Sequence, residues 1–158
     1  ESHKMFVACS INFNFDSPRR GEQFVTRKIT KAVARIKHGS EEKLTLGNLD
    51  AKRDWTHAKD SMFAAYLTLQ ADYLMDYVIA SGKAFSVRNF CEAAFNHVGL
   101  DWRDHVVVDG QFMRPADVHY LCGDSMRAKL KLGWEPTVPF YDLVAEMVDS
   151  DVRLTEKI

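Results

Sequence analysis

The sequence predicts an α/β domain, because stretches typical of strands alternate with stretches typical of helices. Residues 5–13 are mostly apolar and rich in strand-forming side chains, which predicts a strand buried on both faces. Residues 25–36 instead repeat apolar side chains at helical spacing, and Gly39 closes that helix. A second strand is predicted at residues 77–80, and Ser86 is the expected N-cap of the helix that follows it.

Length and composition indicate one globular domain. The chain has 158 residues, of which 46% are hydrophobic and 27% charged, so we expect a single domain over residues 1–158. The formal net charge of −1 argues against a nucleic-acid binder, which should be basic. No apolar run approaches the roughly 20 residues that span a bilayer, so no membrane association is expected.

The cysteines, at positions 9, 91 and 122, are odd in number and widely spaced, which argues against a disulfide framework. His119 and Cys122 lie three positions apart, but no second ligand pair accompanies them, so no metal site is expected. The default compartment for such a chain is reducing and cytoplasmic.

Residues 48–60 are the first candidate for a binding site. They join a short strand at residues 44–46 to a helix that starts near Lys59, so we expect a loop. In such a loop Trp55 can bury and fix the backbone while Arg53 points outward against an anion. The alternative is a solvated, charged loop with one buried tryptophan.

Four stretches of the chain, taken together, resemble one enzyme family. They are Asn-Phe-Asp-Ser-Pro-Arg-Arg-Gly-Glu at 14–22, Phe-Val-Thr-Arg-Lys-Ile-Thr at 24–30, the run from Gly47 through Trp55, and Arg-Pro-Ala-Asp-Val at 114–118. In this order they resemble the GDP-mannose 4,6-dehydratases, extended short-chain dehydrogenase/reductases that use NADP. The resemblance runs from about Met5 to about Leu154.

This resemblance covers only the C-terminal part of such an enzyme. The family's first half carries a glycine-rich dinucleotide loop, a catalytic Thr and Glu, and a Tyr-x-x-x-Lys pair. The eight glycines here offer no phosphate-cradling spacing, and no tyrosine has a lysine four residues on. The resemblance therefore implies one main-sheet strand at 5–13 plus the small mixed α/β substrate-binding lobe, without the N-terminal Rossmann half and without catalytic residues.

The family's binding residues correspond to seven positions of this chain. The resemblance implies Asn14 between nicotinamide and sugar, Lys28 and the backbone of Gly47 at the guanine, Arg53 and Arg114 on the diphosphate, Asp117 on the ribose hydroxyls, and Arg20 near the cofactor phosphates. From the residues alone, the spacing favours a turn residue at Asn14, and a surface arginine is the alternative for Arg20. Arg114 and Asp117 could also simply pair with each other.

The chain departs from the family pattern at several positions. The family usually has Leu where this chain has Asn12 and His where it has Phe15, Glu is common at Asp16, and a small Gly is expected at Ser10. These changes cluster on the cofactor side. NADP is thus the cofactor that the resemblance implies, with weak or no binding by this chain alone. The family also has Glu where Asp117 stands, and Asp is one methylene shorter.

Helical spacing assigns faces to two of the predicted helices. In the first, Lys28 lies at the flank of the apolar stripe, and the spacing puts three basic residues on the opposite, wet face: Arg27, Lys31 and Arg35. In the helix at 59–71 it turns four residues inward: Met62, Ala65, Tyr66 and Leu69.

The family reaction is the NADP-dependent conversion of GDP-mannose to GDP-4-keto-6-deoxymannose, a lyase step of GDP-fucose biosynthesis. The resemblance implies that this chain binds the GDP-sugar and is active only with the missing N-terminal half. The alternative is a non-catalytic GDP-sugar-binding or interaction module. Alone, the strand at 5–13 should expose an apolar surface that recruits the missing half or a second copy of the chain.

Overall fold

Short strands and helices alternate along the chain, as predicted. The protein was analysed as a computed structural model that describes residues 5–113 and 116–156. The strands in this part of the chain are β1 (Ser10–Asn12), β2 (Asn14–Asp16), β3 (Leu44–Leu46), β4 (Lys52–His57), β5 (Tyr77–Ile79), β6 (Ala84–Ser86) and β7 (Val106–Val108). The helices are α1 (Val25–Lys37), α2 (Ala58–Gln70), α3 (Val87–His97), α4 (Met126–Leu132) and α5 (Phe140–Thr155), with short 3₁₀ turns at Trp102–Asp104 and Gly110–Phe112.

Three small sheets organise these elements. β1 runs parallel to β5, and β3 runs parallel to β7. β4 is the central strand of the third sheet, parallel to β2 on one side and antiparallel to β6 on the other. The chain passes from the first sheet to the third at Phe13, whose N–H donates to the carbonyl of Ile79 at 3.0 Å. Asn14 therefore lies where two sheets meet.

The strand expected over residues 5–13 is regular only at Ser10–Asn12. Its predicted burial on both faces is wrong for this chain. One edge of β1 pairs with β5. This sheet therefore contains two strands of the chain, where the sequence predicted one main-sheet strand. The side chains of Met5, Val7 and Ile11 are largely exposed, which confirms the expected apolar surface.

The larger core lies between α1, α3 and α5 on one side and β3 and β4 on the other. Trp55 is buried at its centre, as predicted, with its ring 5.5 Å from that of Phe90 and 5.8 Å from that of Phe140. Burying an aromatic side chain stabilises a fold by about 1.5–3 kcal/mol. This packing fixes β4, and with it the residues on either side of Trp55.

α2 matches the predicted helix, but its predicted orientation is wrong. Met62, Tyr66 and Leu69 are exposed, with Leu69 66% accessible. Ala64 faces the sheet instead. Asp60 is also buried, and its carboxylate accepts hydrogen bonds from the Thr137–Val138 segment. The helix is apolar around most of its circumference, so periodicity could not select the inner face.

Arg27 is not on a wet face, contrary to the prediction. It is only 8% exposed, and its Nη2 lies 2.8 Å from the buried Oδ1 of Asp151 on α5. Its Nη1 donates to the carbonyl oxygens of Pro18 and Arg20. Of the other two basic residues, Arg35 is exposed as expected. The difference arises because α5 packs along the side of α1 that carries Arg27.

None of the helices in the described parts of the chain is both long and apolar enough to cross a membrane.

Candidate functional site

A cleft of about 300 Å³ opens beside β4, between the start of α1 and the turns that follow β3. Five residues singled out from the sequence line it: Asn14, Arg20, Gly47, Arg53 and Asp117. They come from three segments that are far apart in the chain. The other two expected binding residues are not in this lining: Arg114 lies outside the described residues, and Lys28 lies behind the wall of the cleft.

Arg53 belongs to a strand, so the prediction of a loop over residues 48–60 is wrong for its central part. Trp55 is buried, yet Arg53 does not project freely outward, since its side chain is only 18% exposed. Nη1 donates to the carbonyl oxygens of Lys52 at 2.8 Å and Val118 at 2.6 Å. Nη2 donates to Oδ1 of Asp117 at 2.7 Å. The guanidinium is therefore held along one wall of the cleft.

Asp117 faces Arg53 across this wall. Its side chain is 16% exposed, and its Oδ2 accepts a bond from the Nδ2 of Asn48 at 3.2 Å. The pairing considered from the sequence was between Asp117 and Arg114. Within the described residues, its partner is Arg53.

Gly47 allows two backbone segments to approach each other. A Cβ at this position would overlap the carbonyl oxygen of Phe112, so any larger residue would push the 110–113 segment away. The sequence interpretation assigned the freed space to a ligand, whereas the structure fills it with backbone. Gly47 still lines the cleft beside that contact.

Lys28 buries its stem at the flank of α1, and its ammonium is engaged within the protein. Nζ donates to the carbonyl oxygen of Thr45 at 2.7 Å and lies 4.8 Å from the centre of the Phe112 ring. The lysine thus ties α1 to β3 and supports an aromatic ring of the cleft wall.

Arg20 lies between an aromatic ring and a carboxylate. Its guanidinium carbon is 3.6 Å from the centre of the Phe24 ring, its Nε is 3.2 Å from Oδ1 of Asp16, and its Nη1 donates to the carbonyl of Phe15 at 3.0 Å. Burial raises the pKa of Asp16 above its ordinary value, while the hydrogen bond from Thr26 and the charge of Arg20 oppose that rise. Arg20 therefore carries its charge beside the cleft with a partner already in place.

Sequence reasoning missed three contributors to the wall: Asn48, Phe24 and Phe112. Asn48 and Phe24 lie within stretches that carry the family resemblance, and Phe112 lies two residues before Arg114, but no spacing rule marks any of them. It also missed Asp54, which is fully buried and accepts bonds from the N–H groups of Ser81, Gly82 and Gly123. Because Asp54 alternates with Arg53 along β4, this anchoring fixes the strand from its other face.

In the described residues, no group of three or more His, Cys, Asp or Glu side chains could hold a metal ion. Two arginines line the cleft, each paired with an aspartate, together with side-chain amides. Guanidinium and amide N–H groups can donate to an anionic ligand.

Comparison with known proteins shows the family of the chain. The family model described as GDP-mannose 4,6 dehydratase matches residues 1–147. The chain belongs to this family. It is 46% identical to GDP-mannose 4,6 dehydratase 1 of Arabidopsis thaliana, an alignment that covers 99% of this chain and 44% of that protein. It is 47% identical to the human GDP-mannose 4,6 dehydratase, covering 98% of this chain and 46% of the relative. The chain thus spans about half the length of these curated relatives.

Solved structures of other proteins share the fold of this chain. RMD from Pseudomonas aeruginosa complexed with NADPH aligns with a TM-score of 0.86 at 22% identity, over 94% of this chain and 49% of that one. The dTDP-glucose 4,6-dehydratase of Bacillus anthracis, in complex with NAD, aligns with a TM-score of 0.79 at 21% identity, over 95% of this chain and 46% of that one. The predicted fold, the C-terminal part of an extended short-chain dehydrogenase/reductase, is confirmed.

Proposed function

We propose that this chain is the GDP-sugar-binding part of a GDP-mannose 4,6-dehydratase. It binds GDP-mannose, and the NADP-dependent conversion to GDP-4-keto-6-deoxymannose takes place when the catalytic half completes the enzyme. One observation carries the proposal: five residues from three of the family stretches line a single cleft. The reaction makes the complete protein a lyase of GDP-fucose biosynthesis, and we propose a reducing, cytoplasmic compartment for it.

Diphosphate recognition is the chemistry that this cleft supports. A guanidinium has five N–H donors, and the bonds described above use both hydrogens of Nη1 and one of Nη2 in Arg53. Nε–H and the second Nη2–H are then available for a forked contact with phosphate oxygens. In this proposal Arg114 supplies the second cation, and Asn14 bonds the sugar from the junction of the two sheets.

The guanine contacts belong to the same proposal. The resemblance assigns them to the backbone of Gly47, which lines the cleft, and to Lys28, which lies behind its wall. Lys28 acts mainly through the wall that it supports, because its ammonium already bonds Thr45. Asp117 is the residue that the family pattern places at the ribose.

The described residues on the cofactor side offer few groups that would hold NADP. The hollow on the cofactor side is lined by Asn12, Phe13, Asn14, Phe15, Arg20 and Leu121. Among these Arg20 is the cation, and Asp16 already neutralises it. Phe15 adds an apolar ring to this lining, at the position where the family usually has His. We therefore propose that NADP is held by the other half of the enzyme and binds this chain weakly or not at all.

Calorimetric titration of the chain with GDP-mannose, GDP and UDP-glucose tests the binding proposal. We expect saturable 1:1 binding of the two guanine nucleotides and weaker binding of UDP-glucose. No saturation with either guanine nucleotide would contradict the proposal.

Turnover separates an enzyme part from an independent binding module. The chain with GDP-mannose and NADP should form no 4-keto-6-deoxy product. Adding the N-terminal half of a family member as a separate polypeptide should restore product formation. Product from the chain alone would show that the assignment of catalysis is wrong, and binding without any complementation would favour the non-catalytic module. The exposed apolar side chains of β1 and α2 favour completion by another polypeptide.

A further inference from the structure

Both carboxylate oxygens of Asp117 accept hydrogen bonds within the protein, one from Arg53 and one from Asn48. Oδ1 accepts from Nη2 of Arg53 at 2.7 Å, and Oδ2 accepts from Nδ2 of Asn48 at 3.2 Å. Both charged side chains are more than four-fifths buried, so solvent screens their attraction less than it screens a surface pair. The carboxylate is thus oriented from two sides.

The segment that carries Asp117 is fixed to the strand that carries Arg53. The N–H of Lys52 donates to the carbonyl of His119 at 2.8 Å, and the N–H of Leu121 donates to the carbonyl of Lys52 at 3.0 Å. Val118 supplies a further acceptor to Arg53. Asp117 therefore cannot move far from the guanidinium without breaking backbone bonds.

A free arginine side chain samples many rotamers, and a ligand must order it before it can make a forked contact. Here three acceptors hold the guanidinium before any ligand arrives: the carboxylate of Asp117 and the carbonyls of Lys52 and Val118. A carboxylate at this distance also repels an approaching diphosphate. The net effect of Asp117 on binding is the difference between the preorganisation of Arg53 and that repulsion.

We propose that Asp117, oriented by Asn48, is a positioning residue that holds Arg53 for the diphosphate, and that this is its main role in place of a ribose contact. The inference rests on the proposed function and deepens it. It follows from the short side chain of this residue, whose two oxygens are already turned toward Arg53 and Asn48.

Three probes separate the two roles of Asp117 in calorimetric titrations: GDP, 2′,3′-dideoxy-GDP and inorganic pyrophosphate. D117N keeps the size of the side chain and removes the charge that orders Arg53. We expect it to weaken all three probes by a similar factor, about tenfold, the loss of one charge-assisted bond. Pyrophosphate has no ribose, so a ribose ligand would leave its affinity unchanged. A loss confined to GDP overturns the inference, and so does tighter binding, which would mean that repulsion dominates.

A double-mutant cycle then tests whether Asp117 acts through Arg53. In an R53A background, D117N should cause little or no further loss, because the group that it positions is gone. Independent, additive losses overturn the inference while leaving the proposed function in place. If wild-type chain binds no guanine nucleotide, the proposed function fails, and this inference fails with it.

Two further variants complete the design. N48A leaves the carboxylate but removes the bond to Oδ2, and we expect about a threefold loss for GDP and pyrophosphate alike. If D117N does not fold, N48A tests the inference in its place. Unchanged pyrophosphate affinity in N48A would then count against the inference. D50N is the matched control, because exposed Asp50 pairs with Arg88 at 2.8 Å away from the cleft lining. It should bind all three probes as wild type does.

Discussion

The molecule has two regions that satisfy their side chains in opposite ways. Around the cleft, charged groups are paired within the chain, Arg53 with Asp117 and Arg20 with Asp16. Behind the 18–20 segment, Arg27 pairs with Asp151. This region is built on the larger core around Trp55. Its polar wall is ordered by the chain itself, so it can meet a ligand without further assembly.

The β1, β5 and α2 region is different, because apolar side chains face outward there. One face of the β1–β5 pair packs against α2 and α4 through Tyr77 and Ile79. The other face, which carries Ile11, lies open, although parallel strands are normally covered on both faces. The comparison teaches that the cleft region pairs its own polar groups, whereas the second region leaves apolar side chains uncovered, as the proposal of a missing half leads us to expect.

The largest expected effect is on the state of association. Because α2 exposes Met62, Tyr66 and Leu69 together, the chain alone should form dimers or larger species at high concentration. L69D combined with Y66D should shift sedimentation toward the monomer. L154D is the control, since Leu154 is also exposed but lies on α5, which packs in the larger core, and it should change nothing. A wild-type chain that remains a monomer at high concentration would remove the distinction between the two regions.

The next effect is on stability, at the back of the binding region. R27M leaves the buried carboxylate of Asp151 without its cation, and breaking a buried pair in this way costs about 3–5 kcal/mol. Urea unfolding should show this loss in the free energy of unfolding. R35M removes an exposed arginine from the same helix and should cost less than about 0.5 kcal/mol. Equal effects of the two variants would mean that Arg27 is solvated after all.

A smaller effect is on affinity. R53A should weaken GDP binding by about ten- to a hundredfold, because a charge-assisted hydrogen bond contributes roughly 1.5–3 kcal/mol. R53K should recover only part of this, since an ammonium keeps the charge and lacks the fork. The far-ultraviolet circular dichroism should remain that of wild type. If a folded R53A variant binds GDP unchanged, the cleft assignment is wrong.

The sequence predicted the composition of the cleft better than its geometry. Motif residues such as Asn14 and Gly47 could be assigned because each sits in a recognisable stretch. The pairing of Arg53 with Asp117 could not, since it depends on how residues 116–121 dock on β4. The charged residues around Trp55 indicate a loop where the structure has β4. The burial of Asp54 depends on contacts with distant residues such as Ser81, which local sequence does not show.

The predictions of which helix faces are buried were wrong for a related reason. Periodicity identifies an inner face only when the other face is polar, and α2 is apolar on both. Arg27 looks solvent-facing until α5, more than a hundred residues later, brings Asp151 beside it. Both errors concern contacts between distant segments, which local spacing does not encode.

The smallest expected effect is a pH dependence inside the binding region, at Asp16. Burial raises the folded-state pKa of this carboxyl above its model-peptide value of 3.8, against the opposing influence of Thr26 and Arg20. Well below pH 3.8, both folded and unfolded chains carry the proton, and Asp16 imposes no penalty. As pH rises through the interval between the two pKa values, the unfolded chain ionises first, so the contribution of Asp16 to stability declines. Above the folded-state pKa this contribution stays at its lower level.

D16N carries no such titration, so it provides the reference. The free energy of unfolding of wild type minus that of D16N should increase as the pH is lowered from 7 toward 4 in urea titrations, since groups common to both proteins cancel. The same subtraction with D101N, at an exposed position outside the cleft, removes any general effect of losing a carboxylate. If wild type instead loses stability relative to D16N on acidification, the pairing of Asp16 with Arg20 outweighs its burial. The cleft would then hold its charges with less internal cost than the raised pKa implies.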